Sequence, residues 1–154
     1  MFASNQARHR MEDLQKERMV VLHPSQEHKY SLIWLHGLGD SCHGFSDIFM
    51  DQRFNVVPPN CKVILPTAPE RAVTCNGGMV MNSWYDIISM NRPTAFEAHL
   101  KNYSQSEIQD SVQRVSALID QEASLLNNRA ERVFLGGFSQ GCAVTLSTFS
   151  LHKG

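Results

Sequence analysis

An α/β fold, a parallel sheet with crossover helices, follows from three features of the 154 residues. Short apolar runs of strand length recur at residues 19–22, 30–35, 61–65 and 132–136. Ile108, Val112, Val115, Ile119, Ala123 and Leu126 recur every three or four residues, the period of a helix with one apolar face. Strand and helix signals alternate along the chain, and alternation of that kind implies parallel strands joined by crossovers.

Taken in order, residues 1–18 read as a polar tail, with 11–18 as a short exposed helix or a disordered segment. Residues 19–22 form a first strand, ended by Pro24. Residues 30–35 form a second, buried on both faces as parallel strands are. It runs into the turn His36-Gly37-Leu38-Gly39-Asp40. Residues 44–53 suggest a short helix with Phe45, Ile48 and Phe49 on one side, and Pro58-Pro59-Asn60 breaks the chain before a third strand at 61–65. Residues 67–104 show no clear period and hold Gly77, Gly78 and the pair Trp84-Tyr85; a loop that long is usually functional. Ser104 and Glu107 have the spacing of a capping box for the long helix, and Asn127-Asn128 end it. A fourth strand at 132–136 leads to a last helix at 140–151. Residues 19–154 thus make one domain.

Composition narrows the function. Apolar residues are 42% and charged residues 19% of the chain, as in globular proteins, and the net charge of −1 gives nucleic acid nothing to bind. Cys42, Cys61, Cys75 and Cys142 are scattered and fit reduced thiols. The seven histidines show no metal-ligand spacing. No signal-peptide core, myristoylation pattern or run of roughly 20 apolar residues is present, so a soluble cytoplasmic protein without stable membrane insertion is expected.

The strongest chemical signal is Gly137-Phe138-Ser139-Gln140-Gly141, a G-x-S-x-G between an apolar strand and a helix. That context is what a nucleophile elbow requires: a turn so tight that bulky neighbours collide, lifting the serine hydroxyl to a helix N-terminus. A glycine-rich strand-to-helix turn with an incidental serine is the plainer alternative. Acyl transfer passes through an oxyanion, and the Gln140 amide would supply one donor. The loop His36-Gly37-Leu38-Gly39-Asp40 follows an earlier strand and offers the second, at Leu38. His36 reads as shaping this loop by hydrogen bonding rather than as a catalytic base. The plainer alternative here is a turn that uses glycine for its backbone freedom.

Three blocks in order, IWLHGLGD at 33–40, LPTAPERAVTCNGGMVMNSWYDI at 65–87 and VFLGGFSQGCAVTL at 133–146, resemble the phospholipase/carboxylesterase family. That family contains acyl-protein thioesterases and small cytosolic lysophospholipases within the α/β-hydrolase superfamily. The resemblance implies Ser139 as nucleophile, Leu38 and Gln140 as oxyanion donors, and Trp84 lining an acyl groove. It implies acylated protein or lipid ester substrates, and neither cofactor nor metal. Asp86 is expected to be structural, because the family's acid follows the nucleophile in the chain. Met79 and Met81 fit an apolar channel or core filler equally.

One part of the pattern is missing. Residues 142–154 hold one histidine, His152, and no Asp or Glu. His152 sits about 20 Å from Ser139 along the helix, too far to serve as the base. The sequence therefore reads as the N-terminal two-thirds of an α/β-hydrolase domain without its C-terminal strands, expected to aggregate or stay partly unfolded and to show negligible esterase activity alone. The alternatives are a catalytically dead relative that binds acyl chains or a partner, and an interaction module completed by another chain.

Overall fold

The apolar runs become the sheet. The computed structural model describes residues 9–51 and 53–152. Its elements are β1 (Arg10–Leu14), β2 (Met19–His23), β3 (Tyr30–Leu35), α1 (Ser46–Met50), β4 (Cys61–Pro66), β5 (Glu70–Val73), β6 (Met79–Asn82), α2 (Phe96–Leu100), α3 (Gln105–Leu125), β7 (Val133–Gly137) and α4 (Gln140–Leu151). Five strands form one sheet in the order β1-β2-β4-β3-β7, and β5 and β6 pair as a separate hairpin. Both faces of β3 are covered. Ile33 and Leu35 pack with Trp84, Val115 and Val144 towards α3 and α4. Leu32 and Trp34 pack with Val63, Phe49 and Met50 towards α1.

Three differences from the sequence reading have physical causes. The sheet is mixed rather than wholly parallel: β4, β3 and β7 are parallel, while β1 and β2 join antiparallel. The four residues between β1 and β2 are too few for a crossover, so the chain can only fold straight back. Consequently residues 10–14, expected in a helix or tail, form an edge strand in register from Arg10↔His23 to Leu14↔Met19. Arg-Met-Glu-Asp-Leu has no apolar alternation, and charged edge strands are held by backbone pairing. Residues 1–8 of the expected tail lie outside the described residues. The stretch 67–104 is not a plain loop either, since it carries the β5–β6 hairpin, turned at Gly77 (φ 67°) and Gly78 (φ 80°), and α2.

The helix of the sequence reading is α3, and its apolar stripe faces the sheet as expected. The capping box does not form: Ser104 stands at the N-cap without a side-chain cap bond. Glu107 instead accepts the Asp86 amide at 2.6 Å and pairs with Arg71 at 2.9 Å.

The stripe also buries a charge. Glu122, 3% exposed, accepts from Lys62 Nζ at 2.5 Å and Ser31 Oγ at 2.7 Å, and so ties α3 to β4 and β3. Glu122→Ala leaves a largely buried ammonium without its partner. The expected cost is about 3–5 kcal/mol, read as a lowered urea midpoint at unchanged slope. A shift under about 1 kcal/mol would contradict this account of the α3 contact.

Candidate active site

Ser139 is the N-cap of α4 with φ 52° and ψ −116°, a left-handed conformation that a residue with a side chain rarely adopts. Strand β7 delivers the chain to it and α4 carries the chain away, so the residue sits at the bend between them. Its side chain is exposed. The neighbouring glycines show why the bend is possible. A Cβ on Gly137 would lie 2.6 Å from the Gly141 carbonyl carbon. A Cβ on Gly141 would lie 2.6 Å from the His36 carbonyl oxygen. Both obstacles are backbone and cannot swing aside.

The same contacts bring the two glycine-rich segments together. Gly141 packs on the carbonyls of Leu35 and His36, at the end of β3, and Phe138 N–H donates to Leu35 O at 2.9 Å. From the other side, a Cβ on Gly37 would be 3.5 Å from the Ser139 Cβ. The loop therefore lies directly beside the serine. Three of the nearby amides are committed. Gly39 N–H donates to Asn82 O at 2.8 Å, Asp40 N–H to Gly37 O at 3.3 Å, and Gly141 N–H to Phe138 O at 2.9 Å. The amides of Leu38 and Gln140 donate to no described protein group. The dipole of α4 adds positive potential at the Gln140 end.

His36 is 2% exposed and has both ring nitrogens occupied. Nε2 accepts the Ala68 N–H at 2.9 Å, so the proton is on Nδ1, which donates to Gly37 O at 2.6 Å. Burial pushes its pKa below the ordinary value, favouring the neutral ring. These two bonds tie the Gly37 loop to Ala68. Trp84, expected to line a groove, is 2% exposed and lies in the core behind the loop, its indole N–H donating to His36 O at 2.9 Å.

The side chain of Gln140 has work that sequence reasoning missed. Its Oε1 accepts Trp84 N–H at 2.9 Å, and its Nε2 donates to Tyr85 O at 2.7 Å and Ser83 Oγ at 3.0 Å. Only the order of the blocks hinted that the Ser-Trp-Tyr segment and the elbow would meet. Asp86 accepts Thr74 N–H at 2.7 Å and Thr74 O–H at 2.6 Å, a structural role. Met79 is exposed, and Met81 Sδ lies 3.8 Å from where a Gly39 Cβ would be. His152 is far along α4, 3.7 Å from Asp120. No described histidine hydrogen-bonds Ser139. Among the described residues no cluster of His, Cys, Asp or Glu could hold a metal ion, and no helix is long and apolar enough to cross a membrane.

Residues 16–153 match the family described as Phospholipase/Carboxylesterase. Acyl-protein thioesterase 1 of Schizosaccharomyces pombe is 40% identical over 131 residues, 85% of this chain and 54% of that protein. Carboxylesterase SOBER1 of Arabidopsis thaliana is 36% identical over 79% of this chain and 50% of its own length. Among solved structures, Zea mays acyl-protein thioesterase 2 superposes with a TM-score of 0.66 at 28% identity, covering 85% of this chain and 50% of that one. Arabidopsis SOBER1 gives a TM-score of 0.63 at 35% identity, covering 80% and 55%. The chain spans about half the length of the curated relatives it matches.

Two predictions follow from the packing of this bend. Gly141→Ala drives a methyl group into the β3 carbonyls, so its melting temperature should fall well below that of Ala143→Ser, an exposed change on the same helix; equal values would contradict the contact. For His36 the folded pKa lies below the unfolded value, so its contribution is fully present above about pH 6.5 and declines as pH falls below it. His28 shifts in the same direction and adds to the slope. Stability measured between pH 7.5 and 5.5 should therefore fall less steeply in His36→Gln than in the wild type. Parallel pH curves would contradict the neutral, buried assignment.

Proposed function

Because the chain belongs to the phospholipase/carboxylesterase family, with the α/β-hydrolase fold, we propose that it carries the nucleophile and oxyanion site of a serine hydrolase acting on acyl esters or thioesters. Proteins bearing an acyl chain and lipid esters are the proposed substrates, in line with relatives named acyl-protein thioesterase and carboxylesterase. The observation that carries the reading is the left-handed Ser139 beside the Gly37 loop, with the unpaired amides of Leu38 and Gln140 flanking it.

In this scheme Ser139 Oγ attacks the carbonyl carbon and gives its proton to a general base. The carbonyl oxygen becomes an oxyanion held by the Leu38 and Gln140 N–H groups. The bond from carbon to the leaving oxygen or sulfur then breaks, and the leaving group takes the proton. Water, deprotonated by the same base, attacks the acyl-serine and releases the acid. His36, Gly37 and Gly39 shape the donor loop. A loss of one oxyanion donor costs about 10²–10³ in rate, or about 2.7–4 kcal/mol of barrier.

The described residues offer no candidate for the base or for the acid that would orient it. His36 is committed to Ala68 and Gly37, and His152 stands beside Asp120. The chain alone should therefore retain only the residual activity of a triad lacking a member, about 10³–10⁴ over water at most. Imidazole supplied in solution should partly replace the base. Incubation with an alkyl fluorophosphonate, followed by intact mass and peptide mapping, should show slow labelling at Ser139 that imidazole accelerates severalfold. Ser139→Ala should not label under either condition. Equal labelling of the two proteins would sink the reading, whereas rapid labelling without imidazole would locate a base within this chain.

A further inference from the structure

The far end of the loop that offers Leu38, at Gly39 and Asp40, is hydrogen-bonded to Asn82. Strand β6 ends at Asn82, whose main-chain carbonyl and both side-chain amide atoms are engaged. Its main-chain carbonyl accepts Gly39 N–H at 2.8 Å. Its side-chain Nδ2 donates to Asp40 O at 2.8 Å. Its Oδ1 accepts from the Arg18 guanidinium at 2.7 Å. Arginine only donates, so Arg18 fixes which way the amide of Asn82 points: the oxygen towards Arg18, the nitrogen towards the loop.

We propose that Asn82, oriented by Arg18, is a positioning residue that sets where the Leu38 amide stands relative to Ser139. The inference rests on the serine-hydrolase reading above. The loop is fixed at two places. Gly37 abuts the elbow, while Gly39 and Asp40 are tied to Asn82. Leu38 lies between them with its N–H unspent, so its direction is set by those two anchors. Gly39, at φ 79°, has the backbone freedom that would let the loop relax were the second anchor lost. Arg18 is itself at a left-handed turn, φ 53°, in the link between β1 and β2, and its carbonyl accepts Thr67 N–H at 2.8 Å. The N-terminal hairpin thereby reaches the site through one guanidinium. The Met-Asn-Ser-Trp stretch gave no sign of this, because the partners of Asn82 lie 42 and 64 residues away in the chain.

The test uses the full chain with imidazole and an alkyl fluorophosphonate, whose phosphoryl oxygen takes the place of the oxyanion. The rate of Ser139 labelling is measured against probe concentration for Asn82→Ala, Asn82→Asp, Arg18→Ala and Arg18→Lys. Amide exchange at Gly39 and along β3 is followed by NMR. Asn82→Ala and Asn82→Asp should lower the saturating rate about 10–100-fold with the half-saturating concentration unchanged, the scale of a donor misplaced by about 1 Å. Arg18→Ala should lower it less, and Arg18→Lys should recover most of that loss. Gly39 exchange should quicken about fivefold in the Asn82 variants while β3 stays protected. The proposal is overturned if the rates stay within about twofold of wild type, or if they fall together with β3 protection, the mark of general destabilisation. A wild type that labels no faster than Ser139→Ala overturns the hydrolase reading and the proposal with it. A reactive wild type with unaffected Asn82 variants overturns the proposal alone.

Discussion

At Gly141 the first turn of a helix meets the end of a strand with no room for a methyl group between them. That approach determines most of what surrounds it. It needs glycine on both sides of Ser139, it forces the serine into a left-handed backbone, and it lays the His36–Gly39 loop alongside. Strain at one residue costs of order 1–3 kcal/mol and persists only where its surroundings over-determine it. Here those surroundings are a buried strand end, the Phe138 amide bonded to Leu35, and the Gln140 side chain anchored in three places.

The polar groups behind the bend are as specific as the apolar packing. His36 joins its own loop to Ala68, and Trp84 joins its indole to the His36 carbonyl. Gln140 joins the elbow to Ser83, Trp84 and Tyr85. Each is buried and each polar atom named has a partner, so none carries the penalty of an unsatisfied group. A network satisfied in this way has one low-energy arrangement. In the proposed hydrolase, donors aimed at a developing charge would be effective to the degree that they need not reorganise, and rigid support of the loop would provide that.

The parts legible in the sequence were those governed by local rules. The elbow announces itself through paired glycines, the long helix through its three-to-four-residue apolar period, and the loop at 36–40 through glycines after a strand. The parts that escaped depend on contacts between distant segments. β1 is a charged pentapeptide that becomes a strand only because β2 folds back against it. The β5–β6 hairpin has strands of four residues, too short for a periodic signal. Ser104 and Glu107 have capping-box spacing, but Asp86 and Arg71 offer Glu107 better partners. Trp84, which the family resemblance put at an acyl groove, packs against α3 and α4 and bonds the His36 carbonyl, contacts that no local pattern announces. Glu122 sits on the stripe that faces the core, where Lys62 on β4 meets it.

A crystal structure of the chain with Ser139 phosphonylated would test the central claim most directly. The account requires the phosphoryl oxygen to lie between the Leu38 and Gln140 nitrogens, roughly 2.7–3.1 Å from each. An adduct whose oxygen points to solvent, out of reach of both amides, would contradict it.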